Sequence, residues 1–134
     1  MNNLASDFFS KCQTTGNQFA GKHILADLWQ VANMDNLSFI QETLEQSALK
    51  AGATILHSHY HPFGEGMGVS GVTVLSESHI SIHTWPEREF AALDIFMCGD
   101  CDPAIALENI VKLFKPKKVT SSNNQRGLIL ADSK

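Results

Sequence analysis

Two short stretches concentrate groups that could do chemistry. In "ATILHSHYH" (53–61), His57, His59 and His61 recur at every second position. In "SHISIHTW" (78–85), His79, Ser81, His83 and Trp85 do the same. Side chains alternate along an extended strand, so each set shares one face while Ser78, Ile80, Ile82 and Thr84 share the other. Five of the six histidines therefore fall on two strands, which could be neighbours. Imidazoles at i, i+2 and i+4 can converge on one ion, and Cys98-Gly-Asp-Cys101 has the C-x-x-C spacing of a zinc ligand pair. The companion motif that would complete a zinc site is missing. Histidines hydrogen-bonded on a half-buried sheet account for the same pattern.

A different chemistry starts at Glu77-Ser78. A serine at a tight junction between strands can attack the carbonyl carbon of the preceding residue. The resulting N→O acyl shift makes an ester, β-elimination breaks it, and the serine becomes an N-terminal pyruvoyl group. That sequence needs a strained turn, an oxyanion stabiliser and a base near the serine Cα. A bare Glu-Ser dipeptide is ordinary turn composition and does not by itself select this chemistry.

The elements that must position these groups can be read from periodicity. "KHILADLW" (22–29) reads as a strand. A helix is predicted from Asp35 to Ala51, with Leu37, Ile40, Leu44, Ala48 and Ala51 on one face, Asp35, Asn36 or Ser38 as its cap, and Gly52 as its stop. Four strands follow, at 53–61, 68–77, 78–85 and 90–98, with turns at Gly64–Gly68 and Pro86–Glu89. Asp102-Pro103 opens a second helix whose apolar face is Leu107, Ile110, Val111 and Phe114, and Pro116 ends it. "KKVTSS" closes the sheet as a short strand. This order predicts an α+β fold: a two-layer α/β sandwich, mostly antiparallel, with both helices on one face. Strands 53–61 and 90–98 are apolar enough to suggest that a partner subunit covers the other face.

At 134 residues the chain is expected to form a single domain, 1–134, with residues 1–20 as a mobile N-terminal tail carrying at most one helical turn. A net charge of −4 leaves no basic excess to neutralise phosphates, which argues against a nucleic-acid or anionic-membrane partner. Lys115, Lys117 and Lys118 read as a solvated helix end. No signal peptide or membrane-length apolar run is visible, and an odd count of 3 cysteines fits reduced thiols in a cytoplasmic protein.

The block "GVSGVTVLSESHISIHTWPE" (68–87), with "FAALDIFMCG" (90–99), "GKHILADLW" and "AGATIL", closely resembles the prokaryotic S-adenosylmethionine decarboxylases. The resemblance runs from about Gly21 to Lys118. It implies a self-processing, pyruvoyl-dependent enzyme that decarboxylates S-adenosylmethionine to supply aminopropyl groups for spermidine synthesis. It implies cleavage between Glu77 and Ser78 into chains 1–77 and 78–134, with the pyruvoyl cofactor made from Ser78 and joined to substrate as a Schiff base. By the same resemblance His83 accepts the Cα proton during processing, Ser70 helps hold the processing intermediate, and Cys98 is the catalytic proton donor. Phe63 and Trp85 match the rings that sandwich adenine, and Glu87 matches the carboxylate that binds the ribose hydroxyls. No metal is implied, Cys101 is incidental, and the expected assembly is a homodimer of processed protomers. Two alternatives stand beside this reading: a pyruvoyl-dependent decarboxylase of arginine or ornithine, and a zinc-binding module. Trp85 and Glu87 speak against the first, because a substrate without adenosine has no use for them.

Overall fold

A computed structural model describes residues 9–76 and 78–131; Glu77 lies outside the described residues. The elements are β1 (Ser10–Lys11), β2 (Gln18–Phe19), β3 (Gly21–Trp29), α1 (Leu37–Lys50), β4 (Ile55–Pro62), β5 (Val69–Leu75), β6 (Ser78–Trp85), β7 (Phe90–Cys98), α2 (Pro103–Phe114) and β8 (Lys118–Arg126). Six strands form one sheet in the order β4-β5-β6-β7-β3-β8, every pairing antiparallel. Both helices pack on one face of that sheet, giving the α+β two-layer sandwich that the periodicity predicts.

The helices begin where short polar side chains can satisfy their first amides. Asn36 accepts from Phe39 N–H at 3.1 Å and Asp102 accepts from Ala104 N–H at 3.0 Å. The core lies between sheet and helices: Ile40, Leu44 and Ala48 of α1 and Ala106, Ile110 and Phe114 of α2 pack on Ile24, Leu28, Ile80, Ile82, Leu93 and Ile95. The helices are also tied by a buried polar chain, in which Asn109 Nδ2 donates to Ser47 Oγ at 3.0 Å and Ser47 Oγ to Thr43 O at 2.7 Å.

Four expectations change. β4 and β6 are not neighbours, because β5 lies between them. β4 is an edge strand with most of its residues exposed, so its apolar content does not demand cover on both sides. Within the stretch read as a tail, β1 and β2 pair as a small hairpin, and Gln18 exchanges backbone hydrogen bonds with Ile129 at 2.9 and 2.7 Å. β8 is longer than the "KKVTSS" strand and pairs along the whole of β3, with every residue exposed.

Candidate active site

The sheet face turned away from the helices collects the polar side chains. Register sets them in rows across the strands. His61, Ser70, His83 and Ala92 form one row, and His59, Val72, Ser81 and Asp94 the next. His57, Val74, His79, Phe96 and His23 form a third. All six histidines of the chain therefore share this face.

Ser70 and His83, cross-strand partners on β5 and β6, are hydrogen-bonded, with Ser70 Oγ 2.8 Å from His83 Nδ1. They line a cavity of ≈ 520 Å³ together with Phe63, Met67, Trp85 and Glu87. That volume is in the range that holds a small-molecule ligand. The loop 63–68 is closed by Phe63 N–H donating to Gly68 O at 3.0 Å, and the Phe63 ring meets His61 with centroids 4.8 Å apart. Gly68 permits the loop's close approach to β6, since a Cβ there would stand 2.2 Å from Thr84 O. Thr84 itself is buried and pins the segment: its Oγ1 accepts from Val69 N–H at 2.8 Å and donates to Met34 O at 2.6 Å. Trp85 is 41% exposed and continues a row of rings, 5.3 Å from Phe90, which lies 4.3 Å from Trp29. Glu87 follows on a single 3-10 turn, Pro86–Arg88. A larger cavity of ≈ 600 Å³, between the loop after β3 and the end of α2, contains none of the site residues read from sequence.

Ser78 and Cys98 meet elsewhere. Ser78 is buried at the start of β6, directly after the β5–β6 turn, and its Oγ accepts from Cys98 N–H at 3.2 Å. Five residues separate Ser78 from His83, about 16 Å along a strand, and alternation points them to opposite faces. Within one chain Ser78 thus stands apart from Ser70, His83, Trp85, Phe63 and Glu87; its bond to Cys98 is to the backbone N–H, and alternation along β7 sets the Cys98 side chain on the face of Asp94 and Phe96. Cys101 has its thiol pKa pushed up by burial and by Asp100.

Sequence reasoning passed over His23 and Asp94. Asp94 accepts from His23 Nε2, from His79 Nε2 at 3.1 Å and from Ser81 Oγ at 3.2 Å. Burial raises its pKa, but the hydrogen bonds and charges of His23 and His79 outweigh that and hold it below the ordinary carboxylate value. One ligand atom from each of His23, His79 and Asp94 lies within 4.8 Å of the others, a geometry a metal could share. Arg126 argues for a proton network instead. Its guanidinium, always a donor, is 2.9 Å from His23 Nδ1, which puts the ring proton on Nε2 facing Asp94. The signal in the sequence was alternation along 90–98, which sets Asp94 on the polar face.

The family model described as S-adenosylmethionine decarboxylase matches residues 22–127. The chain belongs to this family. Among relatives, the S-adenosylmethionine decarboxylase proenzyme of Thermotoga maritima is 44% identical over 110 residues, covering 80% of this chain and 84% of the relative. The proenzyme of Methanococcus maripaludis is 43% identical over 115 residues, covering 84% and 93%. The crystal structure of the adenosylmethionine decarboxylase from Aquifex aeolicus superposes with a TM-score of 0.76 at 36% identity, covering 87% of this chain and 98% of that one. As a member of the prokaryotic S-adenosylmethionine decarboxylase family the protein is an enzyme, a carboxy-lyase. Among the described residues no helix is long and apolar enough to cross a membrane.

Proposed function

We propose that this protein decarboxylates S-adenosylmethionine with a pyruvoyl group made from its own Ser78, supplying the aminopropyl donor for spermidine synthesis in the cytoplasm. The observation that carries the reading is the pairing of Ser70 with His83 at an aromatic-walled cavity that also holds Glu87, on the strand that begins at Ser78.

The residues at position 78 suit the group. Ser78 is buried behind a turn, with its Oγ already hydrogen-bonded to Cys98 N–H. Its Oγ adds to the carbonyl carbon of residue 77, the peptide C–N bond breaks, and the freed nitrogen takes a proton to leave an ester. Removal of the Cα proton of residue 78 by His83, which Ser70 orients, then breaks the Cβ–Oγ bond. Residue 77 leaves as a carboxylate, and water replaces the nitrogen as ammonia. The pyruvoyl carbonyl supplies an electron sink for loss of CO₂. Cys98 returns a proton to the substrate carbon, Phe63 and Trp85 hold adenine between their rings, and Glu87 accepts hydrogen bonds from the ribose hydroxyls.

The division of the site supports a homodimer. Because Ser78 and His83 of one chain stand about 16 Å apart along β6, we assign His83 and Ser70 to act on residue 78 of a second copy. Leu25, Trp29, Val74 and Trp85 leave apolar surface on the helix-free face, which a second copy would cover.

Intact mass under denaturing conditions tests the reading. Two fragments meeting at residues 77 and 78, the second with a blocked N-terminus, are expected. A chain that stays whole on incubation overturns it.

A further inference from the structure

We infer that Asp94 is a positioning residue: through His79 it anchors the new chain end that begins at residue 78. The inference rests on the processing reading above and goes beyond it. Before processing, residue 78 is held by the peptide to residue 77, by the ladder to β5, and by its own Oγ, which accepts from Cys98 N–H at 3.2 Å. Processing removes two of these ties at once, because the peptide is cut and the Oγ leaves with residue 77. A strand that starts at its reacting residue frays unless something nearby holds it.

The side-chain tie next to the cut is His79. Its Nε2 donates to Asp94 Oδ2 at 3.1 Å, on the neighbouring central strand β7. Asp94 is itself held from both neighbouring strands. His23 of β3 and Ser81 of β6 donate to it, and Arg126 of β8 sets the tautomer of His23 from 2.9 Å. Phe96, in register between the two histidines, stands edge-on to His23 at 5.3 Å and tilted to His79 at 5.9 Å, so neither ring is free to turn away. The anchor therefore spans four strands, only one of which carries the cut. A bond made by His79 restrains the residue whose nitrogen carries the pyruvoyl group, one amide carbonyl away from the reacting ketone, and small misplacements of a reacting carbonyl are costly in rate.

The test compares Asp94→Asn in two full-length backgrounds, the cut enzyme and the uncut Ser78→Ala chain, by amide hydrogen exchange over residues 79–82 and by steady-state kinetics. In the cut enzyme, exchange is expected to quicken about tenfold and kcat to fall about tenfold, with KM within about twofold. In the uncut chain, exchange should change by no more than about twofold. Asp94→Glu should recover part of kcat. Equal acceleration in both backgrounds, or an unchanged kcat, overturns the inference and leaves the decarboxylase reading intact. If Asp94→Asn does not fold, His79→Leu removes the same bond from its other end, and normal kcat and exchange in that variant overturn it equally. A wild-type chain that is never cut is seen by mass before any variant is compared, and it overturns both readings together.

Discussion

Ser70 and His83 are hydrogen-bonded at 2.8 Å across β5 and β6, while Ser78, about 16 Å back along the same strand as His83, is buried on the helix-covered face of the sheet. The pair that would take a proton from residue 78 thus cannot reach the residue 78 of its own chain.

Mixing two inactive variants checks this relationship. On the proposed reading Ser78→Ala cannot be cut and His83→Ala lacks the base, so each alone should be inactive. Co-expressed, they should form mixed dimers with one complete site. Random assembly restores about a quarter of wild-type activity, since half the dimers are mixed and each has one good site of two. Mass spectrometry should find only the His83→Ala chain cut. A mixture in which neither chain is cut contradicts a shared site.

Substrate selection should reside in Trp85 and Glu87, which share the cavity with His83. Glu87→Gln is expected to raise KM for S-adenosylmethionine about tenfold, by weakening charge-assisted hydrogen bonds to the ribose, with kcat within about threefold. Trp85→Leu should raise it as well, by removing a ring face. Steady-state kinetics on the fully processed variants separates the two parameters. A fall in kcat at constant KM would place both residues in the chemical step instead.

The ring of Tyr60 lies across Gly71, its partner on β5, and a Cβ at Gly71 would stand 2.0 Å from Tyr60 Cδ2. Burial pushes the Tyr60 phenol up to about 12, and its hydroxyl is held by Thr73 Oγ1 at 2.7 Å, so the ring has nowhere to move. Gly71→Ala should therefore cost roughly 1–3 kcal/mol of stability, the range for overpacking. Urea unfolding of the Ser78→Ala chain measures this without interference from cleavage. An unchanged midpoint would show that the ring can shift.

Cys12 should react before Cys101 at neutral pH. Hydroxyl hydrogen bonds from Thr14 and Thr15 bring its pKa down to about 6, whereas Cys101 is pushed up by burial and Asp100. Above its pKa Cys12 is already thiolate, so its alkylation rate should be flat from about pH 7 to 9 while that of Cys101 still climbs. Peptide mapping after limiting iodoacetamide at several pH values checks the order. Cys101 reacting first would contradict it.

Much of this arrangement is legible in the sequence. Three-to-four spacing marks both helices, and the caps Asn36 and Asp102 stand among the residues that short polar side chains suggest. Alternation along 78–85 already sets Ser78 and His83 on opposite faces, though only the sheet turns that into a divided site. His23 and Asp94 escape because neither belongs to a run: Asp94 is a lone charge in an apolar strand, and His23 stands beside Lys22 in a strand that also carries Asp27. Their meeting depends on β3 returning beside β7 from the far end of the sequence. The β1–β2 hairpin escapes for a similar reason: two-residue strands carry no periodicity, and their support comes from Ile129.

The strand order β4-β5-β6-β7-β3-β8 has a consequence for the two pieces that a cut at residue 77 would leave. β4, β5 and β3 belong to the first piece, and β6, β7 and β8 to the second. They are dealt into the sheet like shuffled cards, so separation would mean opening β5 from β6, β7 from β3 and β3 from β8 together. Maturation can therefore sever the chain without loosening the body. The interleaving is laid down while the two pieces are still one molecule, so fragments made apart would have to find a three-seam assembly that the intact precursor reaches by folding on itself.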